Sequence, residues 1–67
     1  MSPDKLIRMA NQIASFFRSQ PGTDQATRLA GHLRDYWDPA MRAELKAHLA
    51  RGGEGVDPLV RDAAEKL

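Results

Sequence analysis

His32 and His48 are the only side chains here with a ring nitrogen to offer a metal ion, and the sequence contains no cysteine. A protein zinc site gathers about three or four nitrogen, sulfur or carboxylate ligands at recognisable spacings. The two histidines fall in different segments with no such set around them. His48 shares a helical side with Leu45 and Leu49 and is expected to be a partly buried packing residue; His32 is expected to face solvent. Nucleophilic catalysis needs a hydroxyl or thiol beside a base that a third group orients. Ser2, Ser15, Ser19, Thr23 and Thr27 instead lie on helix caps or solvent faces. The carboxylates are spread as caps and as i,i+4 partners such as Asp38 with Arg42 and Asp62 with Lys66. The glycine-rich run RGGEGVD at 51–57 precedes a helix, as phosphate loops do, but no strand precedes it, no lysine lies within it, and Glu54 would repel an anion. It reads as a helix stop followed by a flexible joint. No independent catalytic, cofactor or metal centre is expected from these residues.

The aromatic residues carry more information. Phe16-Phe17 and Tyr36-Trp37 are adjacent pairs, the second followed directly by Asp38-Pro39 and flanked by Arg34 and Arg42. Neighbours on a helix point about 100° apart, so one member of each pair can fill a core while the other reaches the edge of the apolar stripe. Exposed aromatic groups at such edges serve as anchors in protein interfaces.

Helical elements must position these pairs. Ser2-Pro3, Asp38-Pro39 and Asp57-Pro58 each place a capping oxygen before a proline whose missing N–H costs nothing at the first helical position. Helices are therefore predicted to begin at 3, 39 and 58, with another near Thr23 or Asp24 after Gln20-Pro21-Gly22 has stopped the first. In the first helix, over about 3–19, Leu6, Met9, Ala10, Ile13, Phe16 and Phe17 make one stripe, widened by Ile7 and Ala14 to about half the circumference. That exceeds what one neighbouring helix covers. The second, over about 24–37, repeats the spacing with Ala26, Leu29, Ala30, Leu33, Tyr36 and Trp37. A short Pro-Gly turn between them favours an antiparallel hairpin. Asp38 follows with almost no loop, which forces a sharp corner with Trp37 at its vertex. The third helix has a narrower stripe of Met41, Leu45, His48 and Leu49, and the short fourth offers Leu59, Val60, Ala63 and Leu67. No segment alternates with period two, so the expected fold is all-α: three longer helices and a short C-terminal one in a single domain over 1–67.

At 67 residues the chain can bury one small core, and such a core seldom nets more than about 3–5 kcal/mol. Ten basic residues nearly balance nine acidic ones, which argues against nucleic acid and against an anionic membrane surface as partners. Seven of the ten are arginine, the basic residue enriched at protein interfaces. No apolar stretch approaches the roughly 20 residues that cross a bilayer and no basic run introduces one, so a cytoplasmic location is expected.

Three ordered stretches, KLIRMANQIASFF at 5–17, HLRDYWDPAMR at 32–42 and AHLARGGEGVDPLV at 47–60, resemble the small delta subunit of the soluble, NAD-dependent, molybdenum-containing formate dehydrogenase. Tyr36 departs from the phenylalanine that more often precedes the tryptophan in that family, adding a hydroxyl. The resemblance implies an accessory chain that takes no part in the active centre. It implies larger subunits that oxidise formate to carbon dioxide and reduce NAD using a molybdenum bis-pyranopterin, iron-sulfur clusters and flavin, none of which this chain would hold. It further implies a role in maintaining the assembled complex and in forming cofactor-loaded enzyme.

The interface expected from the residues comprises Ile7 and Phe16 on the rim of the first helix and Arg34, Tyr36, Trp37, Asp38, Pro39 and Arg42 at the corner. Trp37 is the expected anchor, Asp38 and Pro39 set the geometry, and Arg34 and Arg42 meet acidic groups of the partner, with the catalytic subunit the first choice. Two other readings remain open on the sequence: a helix-turn-helix DNA binder using the second and third helices, and a free-standing homodimer that covers the surplus apolar arc by itself.

Overall fold

A computed structural model describes residues 2–67. Four α-helices follow in order: α1 (Pro3–Arg18), α2 (Gln25–Tyr36), α3 (Pro39–Ala50) and α4 (Pro58–Ala64), with no strand among the described residues. The caps read from the sequence form. The Ser2 hydroxyl accepts from the Lys5 amide at 3.3 Å, Asp38 Oδ1 from the Met41 amide at 2.8 Å, and Asp57 Oδ1 from the Leu59 amide at 2.8 Å. Each satisfies one of the amides that a helix start leaves without a partner. Helix α2 begins differently, since Asp24 makes no side-chain cap and instead pairs with Arg28 Nε at 3.0 Å.

Leu6, Leu29, Leu33, Leu45 and Val60 are fully buried, one or two from each helix, and Ala10, Ala14, Ala30 and Ala63 let the helix backbones approach around them. Complete burial of a leucine or valine side chain is worth about 1.5–3 kcal/mol relative to exposure, so these five form the centre of the core, and the nearly buried Trp37 adds the largest ring to it. Helix α4 lies chiefly against α2 and also touches α1. Docking keeps this seven-residue helix folded, because an isolated segment of that length is unstable in water. Helix α3 leaves α2 at the corner and packs on α1 and α4 rather than back along α2. Ile7 and Ala14, expected to widen the apolar arc beyond what the fold could cover, are buried. The reason is that α1 touches all three other helices instead of one hairpin partner.

The corner is made by two successive extended residues, Trp37 (φ −89°, ψ 138°) and Asp38 (φ −73°, ψ 164°). Arg42 holds it from inside. Its Nη1 donates to the Trp37 carbonyl and, at 3.2 Å, to the Arg34 carbonyl. These are carbonyls that the end of α2 leaves free, and a cation is favoured at that end of a helix. Arg42 therefore does not pair with Asp38, whose carboxylate is occupied as a cap. Nor does Asp62 pair with Lys66; the ion pairs among the described residues join Asp24 to Arg28 and Arg18 to Asp57.

The glycine-rich run closes into a fixed loop. The Gly53 amide donates to the His48 carbonyl at 3.0 Å, the reach-back that ends many helices on glycine, with Gly52 at φ +113° and Gly53 at φ +65°. Asn11 then clamps the loop from α1: its Nδ2 donates to the Gly55 carbonyl at 2.9 Å, and its Oδ1 accepts the Asp57 amide at 3.0 Å. His48 Nε2 lies 2.8 Å from the Glu54 carbonyl, Arg61 reaches the Gly53 carbonyl at 3.3 Å, and Val56 is buried beneath. The joint expected to be flexible is thus tied to three helices.

Candidate functional site

Among the described residues two large apolar side chains remain exposed, Phe16 at 59% and Tyr36 at 76%. They are the ends of one continuous strip. The Phe16 ring meets Phe17 edge-on with centroids 5.3 Å apart, Phe17 meets His32 at 5.8 Å, and His32 lies tilted on Tyr36 at 4.7 Å. These separations fall in the range where aromatic rings attract one another. Half-buried Phe17 roots the strip in the core. The other half-buried apolar side chains of α1, Met9 and Ile13, also pack against that core.

The strip follows from two local spacings. Phe16 and Phe17 are neighbours at the end of α1, so Phe17 turns inward as Phe16 turns out. His32 and Tyr36 are four residues apart on α2 and therefore lie one above the other on the same face. The hairpin brings the two faces together. His32 does not stand alone in solvent as expected from the sequence; it is half-buried and sandwiched between Phe17 and Tyr36. Its position four residues before Tyr36 was the available signal.

The expected interface residues separate into two groups. Ile7 at 8% exposure and Trp37 at 5% belong to the core. Trp37 is the buried member of its pair and Tyr36 the exposed one, so the outward ring at the corner is that of Tyr36. Phe16, Arg34, Tyr36, Asp38 and Pro39 are exposed, and Arg42 is half-buried. Asp38 and Pro39 set the corner as described above. Arg34 Nη2 donates to the Lys66 carbonyl at 3.1 Å and so joins α2 to the turn after α4.

Elsewhere, Asp4, Arg8, Asn11, His48 and Glu54 rim a depression between α1 and the 52–56 loop. Two of its side chains, Asn11 and His48, are used in holding that loop. No group of three or more histidine, aspartate or glutamate side chains among the described residues is arranged to hold a metal ion. No described helix is long and apolar enough to cross a membrane.

A family model described as the NADH-dependent formate dehydrogenase delta subunit FdsD matches residues 5–64. No curated protein matches the chain.

Proposed function

The chain belongs to the formate dehydrogenase delta-subunit family, and from that premise we propose that it is a non-catalytic accessory subunit that docks on a larger subunit of the complex through the Phe16–Phe17–His32–Tyr36 strip. The exposed strip is the observation that carries the reading. A chain this small gains little by leaving two large rings in water, whereas aromatic side chains held in place by their neighbours lose little entropy on binding and dominate interface energetics. The iron-sulfur clusters of the parent enzyme do not fit this chain. Such clusters are held by cysteine thiolates, and there are none here. The clusters therefore belong to its partners, and the accessory reading places molybdenum and flavin there as well, with the catalytic subunit the first choice for the contact.

Binding of this chain to the assembled state and not to dissociated subunits stabilises that state by mass action. The same preference, exerted on a cofactor-receptive conformation, favours loading of the enzyme. The test is reconstitution. Delta-free formate dehydrogenase is mixed with wild-type chain or with a Phe16→Ser/Tyr36→Ser double variant and passed through a sizing column. Wild type should co-elute and prolong the half-life of activity, and the double variant should do neither. Equal co-elution of both would overturn the docking face, and a wild-type chain that self-associates without entering the complex would favour the homodimer.

A further inference from the structure

The geometry points to a second recognition element, resting on that docking reading: a basic cleft at the corner receives an acidic peptide segment of the partner subunit. Arg34, Arg42 and Lys46 converge on a cleft of about 380 Å³ whose remaining lining is Pro39, Ala43 and Leu67. No aspartate or glutamate lines it. In a chain of ten basic and nine acidic residues, three cations without a carboxylate side chain between them form a local imbalance.

The cations are held rather than neutralised. Arg34 bonds the Lys66 carbonyl, Arg42 the Trp37 and Arg34 carbonyls, and Lys46 Nζ the Leu67 main-chain oxygen at 2.8 Å. Each guanidinium has five N–H donors and the ammonium three, so most of their hydrogen-bonding capacity remains. Their main-chain acceptors fix the heads in place, which lowers the entropy cost of receiving a carboxylate. Pro39 and Ala43 supply an apolar floor for the stem of a glutamate or aspartate and its neighbours.

The cleft lies across α2 from the aromatic strip. Arg34 and Tyr36 are two positions apart on that helix, about 200° around its axis. A partner that covers Tyr36 and also places an acidic segment beside Arg34 therefore grips the end of α2 from two sides, apolar on one and charged on the other. The charged contact supplies orientation and a salt-dependent rate of association more than raw affinity.

The experiment measures binding of the full chain to delta-free formate dehydrogenase across a salt series, with hexaglutamate titrated separately into isotopically labelled chain. Two variants probe the cleft. Lys46→Glu reverses one charge. Ala43→Glu adds a carboxylate from an exposed position while every bond described above is kept. Both should weaken association with the complex roughly five- to tenfold at low salt and flatten its salt dependence. Hexaglutamate should shift the amide signals of Arg34, Arg42 and Lys46 in wild type and not in Ala43→Glu. A merely structural cluster predicts the opposite for Ala43→Glu: unchanged binding with an unchanged or raised melting temperature. Wild-type binding by both variants, beside loss in Phe16→Ser/Tyr36→Ser, would overturn the cleft and leave the docking face standing. A wild-type chain that fails to bind the complex would overturn both. A cleft that takes a 20-base-pair duplex and ignores hexaglutamate would assign it to nucleic acid and overturn the peptide.

Discussion

Adjacent residues 36 and 37 should behave as opposites when each is cut back to alanine. Trp37 is 5% exposed and packed with the core leucines, whereas Tyr36 is 76% exposed and touches His32. Truncating a buried tryptophan costs about 3–5 kcal/mol through lost contacts and the cavity left behind. That is comparable to the whole net stability of about 3–5 kcal/mol that a chain of this size commands. Trp37→Ala should therefore lose its cooperative thermal transition, read by circular dichroism in the far ultraviolet. Tyr36→Ala removes an exposed ring with one aromatic neighbour, an effect of about 0.5 kcal/mol. At about 4–8 °C per kcal/mol for a domain of 60–100 residues, its melting temperature should move by only about 2–4 °C. Assembly should reverse the order of importance. Folded Tyr36→Ala should show weakened entry into formate dehydrogenase, on the scale of an aromatic interface residue, about 1–2 kcal/mol or roughly five- to thirtyfold in affinity. If Trp37→Ala melts like wild type, or if Tyr36→Ala enters the complex with undiminished affinity, the division of the pair into a core ring and a contact ring is wrong.

Three further substitutions test the devices that hold the site in place. Asn11→Ala leaves the Asp57 amide and the Gly55 carbonyl without their α1 partner; it should cost about 1–3 kcal/mol and speed hydrogen exchange at the Asp57 amide, and unchanged exchange there would count against the clamp. Arg42→Ala frees the carbonyls of Arg34 and Trp37; a fall of about 4–8 °C in melting temperature, corresponding to about 1 kcal/mol, is expected, with a null shift removing Arg42 as the brace of the corner. Gly53→Ala combines a left-handed backbone at φ +65° with a new Cβ only 2.8 Å from Arg61 Nη2 and 2.9 Å from Leu49 Cδ2. It should destabilise by about 1–2 kcal/mol or more in a denaturant titration, and a neutral result would show that the loop can relax.

The helix starts were legible because capping is local: the oxygens of Ser2, Asp38 and Asp57 act within three residues of themselves, and the prolines that follow fix the backbone. The short linkers likewise announced the hairpin and the corner. What the chain did not disclose is which helix covers which face. Ile7 and Ala14 look like excess on a lone hairpin and become core only because α3 and α4 return to α1. Asn11 sits on the polar side of α1, and nothing in its own neighbourhood indicates that its partners lie more than forty residues later. A cue was present in Gly52, Gly53 and Gly55: a run with φ positive at each of them turns main-chain groups away from regular pairing and calls for a side-chain amide to meet them. Within the candidate site, periodicity showed that each aromatic pair must divide between inside and outside. It did not say which member goes inward, because Tyr36 and Trp37 differ in facing by only about 100° and the choice is made by the extended turn at residues 37–38.

Under the docking proposed above, stabilisation between chain and complex must run in both directions. With so small a core, the chain's own folding equilibrium is shallow, and any partner that binds only the folded form deepens it by the mass-action term, about 2.7 kcal/mol when the free partner stands at 100 times the dissociation constant. Coupling free energy is reciprocal, so whatever the chain contributes to the assembled enzyme the enzyme returns to the chain. The strip and the cleft each include residues of α2, His32 and Tyr36 in one and Arg34 in the other, and α4 packs chiefly on that same helix. Occupying them should therefore protect α4 as well, although it carries none of the proposed contacts. Hydrogen exchange on the complex should show slowing at the amides of Val60, Arg61 and Asp62 together with those of α2. Protection confined to α2, with α4 exchanging as in the free chain, would mean that binding adds contacts without deepening the fold, and the reciprocal stabilisation would fail.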